Sequence, residues 1–459
     1  MKENSKKNNI GGARILFRIW EKPMLTLFAI GFVLAGCAGK GNPTNTEESA
    51  QPVKPASSDP VTVTLYAKTL LTDDDFVKYI QNPLKAKYPH ITVKKVDAAA
   101  GRQPSDLIAA GDTPDFIWDG LTNIDVIKDV GWPSDLDPLV KKHKFDLNRL
   151  EPEMVSSIRS FSEKNELLFM PFRSFSFALH WNKTIFDKFG VSYPRNGMTW
   201  EETVELAKKV TRTENGVNYR GLSAGINVNR LQTQLSLPFI DGSTGKSVLL
   251  TNNQWQDVFR MFKSIYGIPG NYSPNAKFSD GRTAFLKDQN LAMFPHLVLI
   301  GDADFALAAK EGLEWGISTF PVWKEKPGIG PGIFSDGFVI PNGSKNPDLA
   351  FELIAYLLSD EVQTMAAKLG NPPALANPSV KKRLYEDNPL VKGIDLAPVL
   401  SLRSAPPYAK TAYDTKANRD IIEKKVELFY TDKTDLNTSL RQADEEINKM
   451  VETEKAKKK

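Results

Sequence analysis

Residues 61–66, Val-Thr-Val-Thr-Leu-Tyr, alternate apolar and polar positions with period two and are rich in β-branched side chains. That pattern predicts a strand. A helix is predicted next, because Thr72 ahead of three aspartates makes an N-cap and Phe76, Tyr79, Ile80 and Leu84 recur at helical spacing. Pro89 closes this unit, and 91–96 reads as a second strand. Strand–helix–strand is the unit of an open, mostly parallel α/β sheet. The logic repeats in a helix over 105–110, a turn over 111–114 and a short strand over 115–118 that ends at Asp119-Gly120.

Further along, 167–172 and 175–181 read as a long strand pair with a polar break at Arg173-Ser174. A helix with an N-cap at Thr199 and carboxylates in its first turn runs to about Val210. Amphipathic helices are predicted over 255–266, 349–358 and 361–369, and terminal helices over 419–430 and 439–451. The lysine-rich end, 455–459, reads as a solvated tail, and no solenoid-type repeat is present.

The first 60 residues have a different character. Residues 1–22 are basic and polar, 24–33 are apolar, and Leu34-Ala35-Gly36-Cys37 follows. A basic region, a short apolar run and small residues at the cut describe a secretory signal, 1–36. The run is too short to span a membrane, which takes about 20 apolar residues. Leu-Ala-Gly-Cys resembles a bacterial lipobox, which implies cleavage before Cys37 and acylation of its sulfur. Cys37 is the one cysteine of the chain and stands where that motif needs it. Residues 37–60 lack aromatics, are rich in Pro, Ser, Thr, Asn and Glu, and read as a lipidated cysteine with a disordered tether.

This division changes the charge picture. The chain of 459 residues carries a formal +4. Residues 1–36 hold six basic and two acidic side chains, so the rest of the chain carries 53 of each sign. A neutral body is a poor nucleic-acid binder, which needs clustered cations against phosphate. A composition of 41% hydrophobic and 25% charged residues excludes disorder for the bulk. A lone cysteine and four scattered histidines (His90, His143, His180, His296) offer no local metal-ligand set, so neither a metal nor a cofactor is expected.

Three motifs look catalytic and fail on context. Gly221-Leu-Ser223-Ala-Gly225 matches a nucleophile elbow, but the segment after it starts a helix poorly, and His296 is the one histidine that follows Ser223. Gly242-Ser-Thr-Gly-Lys-Ser247 lacks the leading glycine of a phosphate loop and reads as a hairpin turn. Asp73-Asp74-Asp75 reads as a solvated, dipole-favoured helix start. No catalytic apparatus is supported.

Aromatic residues stand beside polar ones at several predicted strand ends: Tyr66/Lys68, Trp118/Asp119, Phe172/Arg173, Phe294/His296 and Phe334/Asp336. Ligands of open α/β sheets lie beyond the carboxyl ends of strands. Aromatic faces with forked polar groups suit a sugar.

Ordered segments then carry a resemblance. They are 109–119 (with Gly111-Asp-Thr-Pro-Asp115), 165–171 through His180-Trp-Asn-Lys183, Thr199-Trp-Glu-Glu202, 285–293, 334–340, 346–350 and 356–361. Over about 61–450 the chain resembles the extracellular solute-binding proteins of family 1, the maltose-binding-protein-like receptors that feed ABC importers. The resemblance implies an α/β, two-lobed periplasmic-binding-protein-like fold of type II, in which each lobe is an open, mostly parallel sheet flanked by helices around a hinged cleft. It implies an N-lobe over 61–173 with 297–336 and a C-lobe over 174–296 with 337–459. Crossings between lobes are expected near 172–175, 294–297 and 335–338.

The function so implied is a monomeric, lipid-anchored receptor on the extracellular face of the bacterial cell membrane. It takes an oligosaccharide or modified sugar and passes it to the permease subunits. Candidate contacts are Lys68, Thr69, Trp118, Asp119, Arg173, Phe175, Gln232, His296, Asp336 and Tyr408, with Arg173 and Asp336 at predicted crossings. The chain departs from the family pattern at Phe294-Pro-His296 and Asp288, and it offers Tyr408 and Tyr413 where sugar binders carry tryptophan. The ligand is therefore expected to depart from a malto-oligosaccharide. Alternatives are an anionic solute held by Arg102, Arg173 and Arg230, a glycoside-acting enzyme with two carboxylates across the cleft, and a sensor subunit of a membrane kinase.

Overall fold

The computed structural model describes residues 59–225, 227–272 and 280–457. The expected signal, Cys37 and nearly all of the tether lie outside the described residues. Within them, no helix is long and apolar enough to cross a membrane.

Twelve strands run along the described chain: β1 (Val61–Ala67), β2 (Ile91–Asp97), β3 (Phe116–Gly120), β4 (Met170–Ser174), β5 (Phe177–Asn182), β6 (Arg212–Glu214), β7 (Val217–Leu222), β8 (Leu291–Leu297), β9 (Trp315–Thr319), β10 (Ile329–Gly330), β11 (Ser335–Val339) and β12 (Arg403–Ser404). They form two five-stranded sheets and a small β10–β12 pair.

The first sheet has the order β2-β1-β3-β11-β4. β1 pairs in parallel with both neighbours, and β11 runs antiparallel to β3 and β4. Val63 and Leu65 of β1 are buried on one face, which is the expected use of its alternation, and Tyr66 is buried on the other. The helix after it starts as predicted, with the Asp75 N–H donating to Thr72 Oγ1 at 3.1 Å. Phe76, Ile80 and Leu84 pack into the first core beside Trp118, Phe172 and Phe338.

The second sheet has the order β6-β7-β8-β5-β9, with β7 parallel to β8 and β5 antiparallel to both neighbours. Both of its faces are covered. Leu179 and Trp181 of β5 face one core, and Ala178 between them faces another. A capping box starts the helix Trp200–Val210: the Glu202 N–H donates to Thr199 Oγ1 (3.2 Å) and the Thr199 N–H to Glu202 Oε2 (2.9 Å). His180 is fully buried between Phe285 and Phe305. The Leu299 N–H donates to its Nε2 at 3.2 Å, so Nδ1 carries the proton and donates to Phe294 O, also at 3.2 Å. Burial pushes this imidazole down to about 4.

The sheets correct three expectations. First, 167–172 and 175–181 do not pair with each other: β4 belongs to the first sheet and β5 to the second, and the chain crosses between them at 174–177. Second, there is no crossing at 294–297. β8 runs through those residues inside the second sheet, and β9 follows in the same sheet. Third, the returning segments differ from those expected. β9 places 315–319 in the second lobe, whereas β11 and the helices Pro347–Leu357 and Asp360–Lys368 belong to the first. The second crossing is the stretch from β10 to β11. The third follows Val380, which packs in the first core, and precedes Leu384, which packs in the second lobe. After it, the helices Glu423–Tyr430 and Leu436–Lys457 close the second lobe.

Candidate functional site

The carboxyl ends of β1, β3 and β4 and the start of β11 lie side by side in the first sheet. They bring Lys68, Asp119, Arg173 and Asp336 to one edge. The Asp119 carboxylate is fully buried. It accepts from the Gly120 N–H (2.8 Å) and Asn123 Nδ2 (3.0 Å), and Lys68 Nζ lies 2.9 Å from its Oδ2. Thr69 is half-buried in the adjoining loop.

Arg173 opposes Asp336 because the register between β11 and β4 shifts at Asp336/Gly337. Gly337 is required there, since a Cβ would stand 2.2 Å from Met170 O and 2.8 Å from Pro171 Cα. The Arg173 guanidinium also lies 5.5 Å from the Trp118 ring and 5.1 Å from the Phe175 ring. Burial raises the Asp336 carboxyl, and the Arg173 charge works against that rise.

Trp118 is only 1% exposed and packs edge-on against Phe172 and Phe338. It is a core residue, not an open stacking face. His296, at the end of β8, is half-buried and stacks on Phe294 at 4.6 Å. Burial first, and the neighbouring Arg230 charge second, push it down to about 2, so it is a neutral ring. Arg230, on the helix Val228–Gln234, is buried beside Phe177 (5.8 Å), and its Nη1 has no hydrogen-bond partner among the described residues. Burial pushes this guanidinium down to about 10.

A cavity opens between the lobes. The first lobe contributes Thr122, Asp125, Ser157, Ser160 and Phe161, and the crossing contributes 332–334. The second lobe contributes Asn229, Gln232, Tyr408, Lys410, Asp414 and Asn418. The lobes touch at its wall, where the Lys410 N–H donates to Ser160 O at 3.0 Å. The Lys410 ammonium lies 3.6 Å from the Tyr408 ring centroid. Burial pushes Asp125 up to about 6, although Lys128 lies 3.5 Å away. Burial also raises Asp414 and lowers Lys410 to about 8. A second cavity also draws on both lobes, with Asp75, Tyr79, Arg173 and Phe175 facing Val298, Asp302 and Tyr385.

The sequence-based candidates therefore divide. Gln232 and Tyr408 line the first cavity, and Arg173 and Phe175 line the second. Lys68, Thr69, Trp118, Asp119, His296 and Asp336 line neither. Sequence reasoning missed Asp125, Lys410, Asp414 and Asn418. A signal existed for two of them: Asp414 and Asn418 stand four apart on the stripe that buries Ala417, Ile421 and Ile422.

Two α/β lobes joined by three chain crossings, with polar cavities between them, define a two-lobed binding protein of the type II periplasmic class. Residues 69–364 match the model of the bacterial extracellular solute-binding proteins. The chain belongs to that family, whose members are solute-binding proteins rather than enzymes. No curated protein sequence matches it.

Solved structures share the fold. One is an ABC substrate-binding protein of Listeria monocytogenes in complex with cycloalternan (TM-score 0.68, 17% identity, 85% of this chain and 99% of that one). Another is the sugar-binding protein MalE of Xanthomonas citri (0.66, 17%, 86% and 98%). A third is an ABC transporter solute-binding protein of Thermotoga lettingae bound with α-D-tagatose (0.64, 17%, 85% and 99%).

Proposed function

We propose that this protein is the carbohydrate receptor of an ABC importer, holding a saccharide between its lobes and presenting the closed form to a membrane permease. The observation that carries the reading is the interlobe cavity lined by Gln232, Tyr408 and Asp414. Its wall joins Phe161 and Tyr408 to the polar side chains of Gln232, Lys410, Asp414 and Asn418, and it draws on both lobes. A ring that stacks on an aromatic face and spreads its hydroxyls over such groups bridges the lobes, and the contacts it gains offset the cost of closure. The relatives that share the fold support this, since those structures hold cycloalternan and α-D-tagatose. In this reading Cys37 carries the lipid that keeps the receptor, as a monomer, at the outer face of the cell membrane.

The test is a thermal-shift screen of the mature chain against mono- and oligosaccharides. Stabilisation by a saccharide, with the saccharide recovered uncut, is the expected result. A screen in which no saccharide raises the unfolding temperature, or in which one is cleaved, overturns the reading.

A further inference from the structure

The unpartnered buried atoms that line the first interlobe cavity are all of one kind. Gln232 Oε1, Asp414 Oδ2 and Asn418 Oδ1 receive no hydrogen bond among the described residues. Their side chains line the cavity and are 0%, 6% and 6% exposed. Each is an acceptor, and the other end of each side chain is committed. Gln232 Nε2 donates to Leu237 O, Asn418 Nδ2 to Glu423 Oε1 (3.0 Å), and Asp414 Oδ1 accepts from Thr411 Oγ1 (2.5 Å). The Tyr408 hydroxyl lies beside both Gln232 and Asp414 and has one proton to offer.

Charge points the same way. Asp125 adds a second carboxylate from the opposite lobe. The lining also holds two cations, half-buried Lys410 and exposed Arg419, whereas buried Arg230 lies outside it against Phe177. A buried acceptor left unpaired loses its bond to water without gaining another. A solute that brings donors relieves this cost. A solute that brings a carboxylate or phosphate adds acceptors, which leave these oxygens unpaired beside the carboxylates of Asp125 and Asp414.

Resting on the carbohydrate reading, we propose that this wall is a charge filter. It takes the hydroxyl-rich face of an uncharged saccharide and rejects uronates and phosphorylated sugars, with Asp414 as the specificity-determining residue.

The test is calorimetric titration of the mature chain, and of Asp414→Asn, with a neutral panel (maltotriose, mannotriose) and an anionic one (trigalacturonate, glucose 6-phosphate). The wild type is expected to bind from the neutral panel alone. Asp414→Asn keeps the shape and removes the charge, so it is expected to weaken the neutral ligand about tenfold and to narrow the gap to the anionic panel. Anionic sugars bound as tightly as neutral ones, or an Asp414→Asn chain with unchanged neutral affinity, overturn the filter and leave the carbohydrate reading standing. A wild type that binds neither panel, nor any saccharide of the thermal screen, overturns both. If Asp414→Asn does not fold, Asn418→Ala takes its place, and unchanged affinity there counts equally against the filter.

Discussion

The Arg173 guanidinium donates from Nε (2.9 Å) and Nη2 (2.5 Å) to a single oxygen of Asp336, across the register shift between β4 and β11. These strands carry the chain into and out of two of the crossings, so the pair ties the hinge together. Removing one partner of a buried ion pair strands the other, at a cost of about 3–5 kcal/mol. Arg173→Ala is expected to lose stability of that order in urea unfolding at neutral pH. The loss shrinks as the pH falls and Asp336 takes up its proton. A loss that does not change with pH counts against the pairing.

Gly337 sits inside the same shift. Gly337→Ala forces a methyl onto the Met170 carbonyl, 2.2 Å from where its Cβ would stand. Overpacking of this kind costs about 1–3 kcal/mol. Circular dichroism melting is expected to show a lowered transition, and solute affinity is expected to fall with it because Arg173 loses its register against Asp336.

His180 sets a pH dependence. Its folded value, about 4, lies below the ordinary 6.5. Its contribution is therefore fully present above 6.5 and is lost as the pH falls toward 4. The size is about 3 kcal/mol from the shift. Asp125 and Glu423, raised to about 6 and about 7, act in the opposite sense: they stabilise at low pH and lose that contribution as the pH rises. The His180 share is isolated by difference. Unfolding free energies of the wild type minus those of His180→Gln, measured from pH 7 to pH 4.5, are expected to decline steadily. A flat difference would falsify the neutral-imidazole assignment.

Tyr408 brings to the first cavity an aromatic ring whose hydroxyl lies beside Gln232 and Asp414. Tyr408→Ala is expected to weaken the bound saccharide about tenfold to a hundredfold in calorimetry, since ring stacking and one hydrogen bond are lost. Tyr408→Phe, which keeps the ring, should lose less. Equal losses would assign the role to the hydroxyl alone.

Cys37→Ala is expected to move the protein from the membrane fraction to the medium and to abolish labelling by a palmitate analogue, because the acyl chains hold the anchor through buried CH2 groups. Unchanged fractionation would remove the lipid anchor from the proposal.

Elements of both lobes were legible where their signals are local. Residues 61–66 alternate, and Thr72 and Thr199 cap helices with their own side chains. The crossing misplaced at 294–297 shows where local signals end. Phe294-Pro295-His296 looks like the end of a strand, yet β8 continues through it to Leu297. Proline is tolerated there because β7 ends opposite Met293, leaving that edge free beyond it. The site was legible in part for the same reason. Arg173 and Asp336 meet through a register shift that no spacing announces, and Trp118 satisfies an aromatic–polar pattern while lying wholly in the core. Asp125 and Asp414 are 289 positions apart and share a cavity through tertiary folding alone.

The three crossings interleave the lobes along the chain. The first lobe is completed by β11 and by the helices that follow it, and the second lobe by Leu436–Lys457 at the far end. A ribosome that has finished either half of the gene has therefore finished neither lobe. The nascent chain carries an incomplete first sheet until residue 339 has emerged, so the time spent with open sheet edges is set by synthesis and export of nearly the whole polypeptide. Truncated products of this gene are expected to be cleared as unfolded chains rather than to persist as half-receptors.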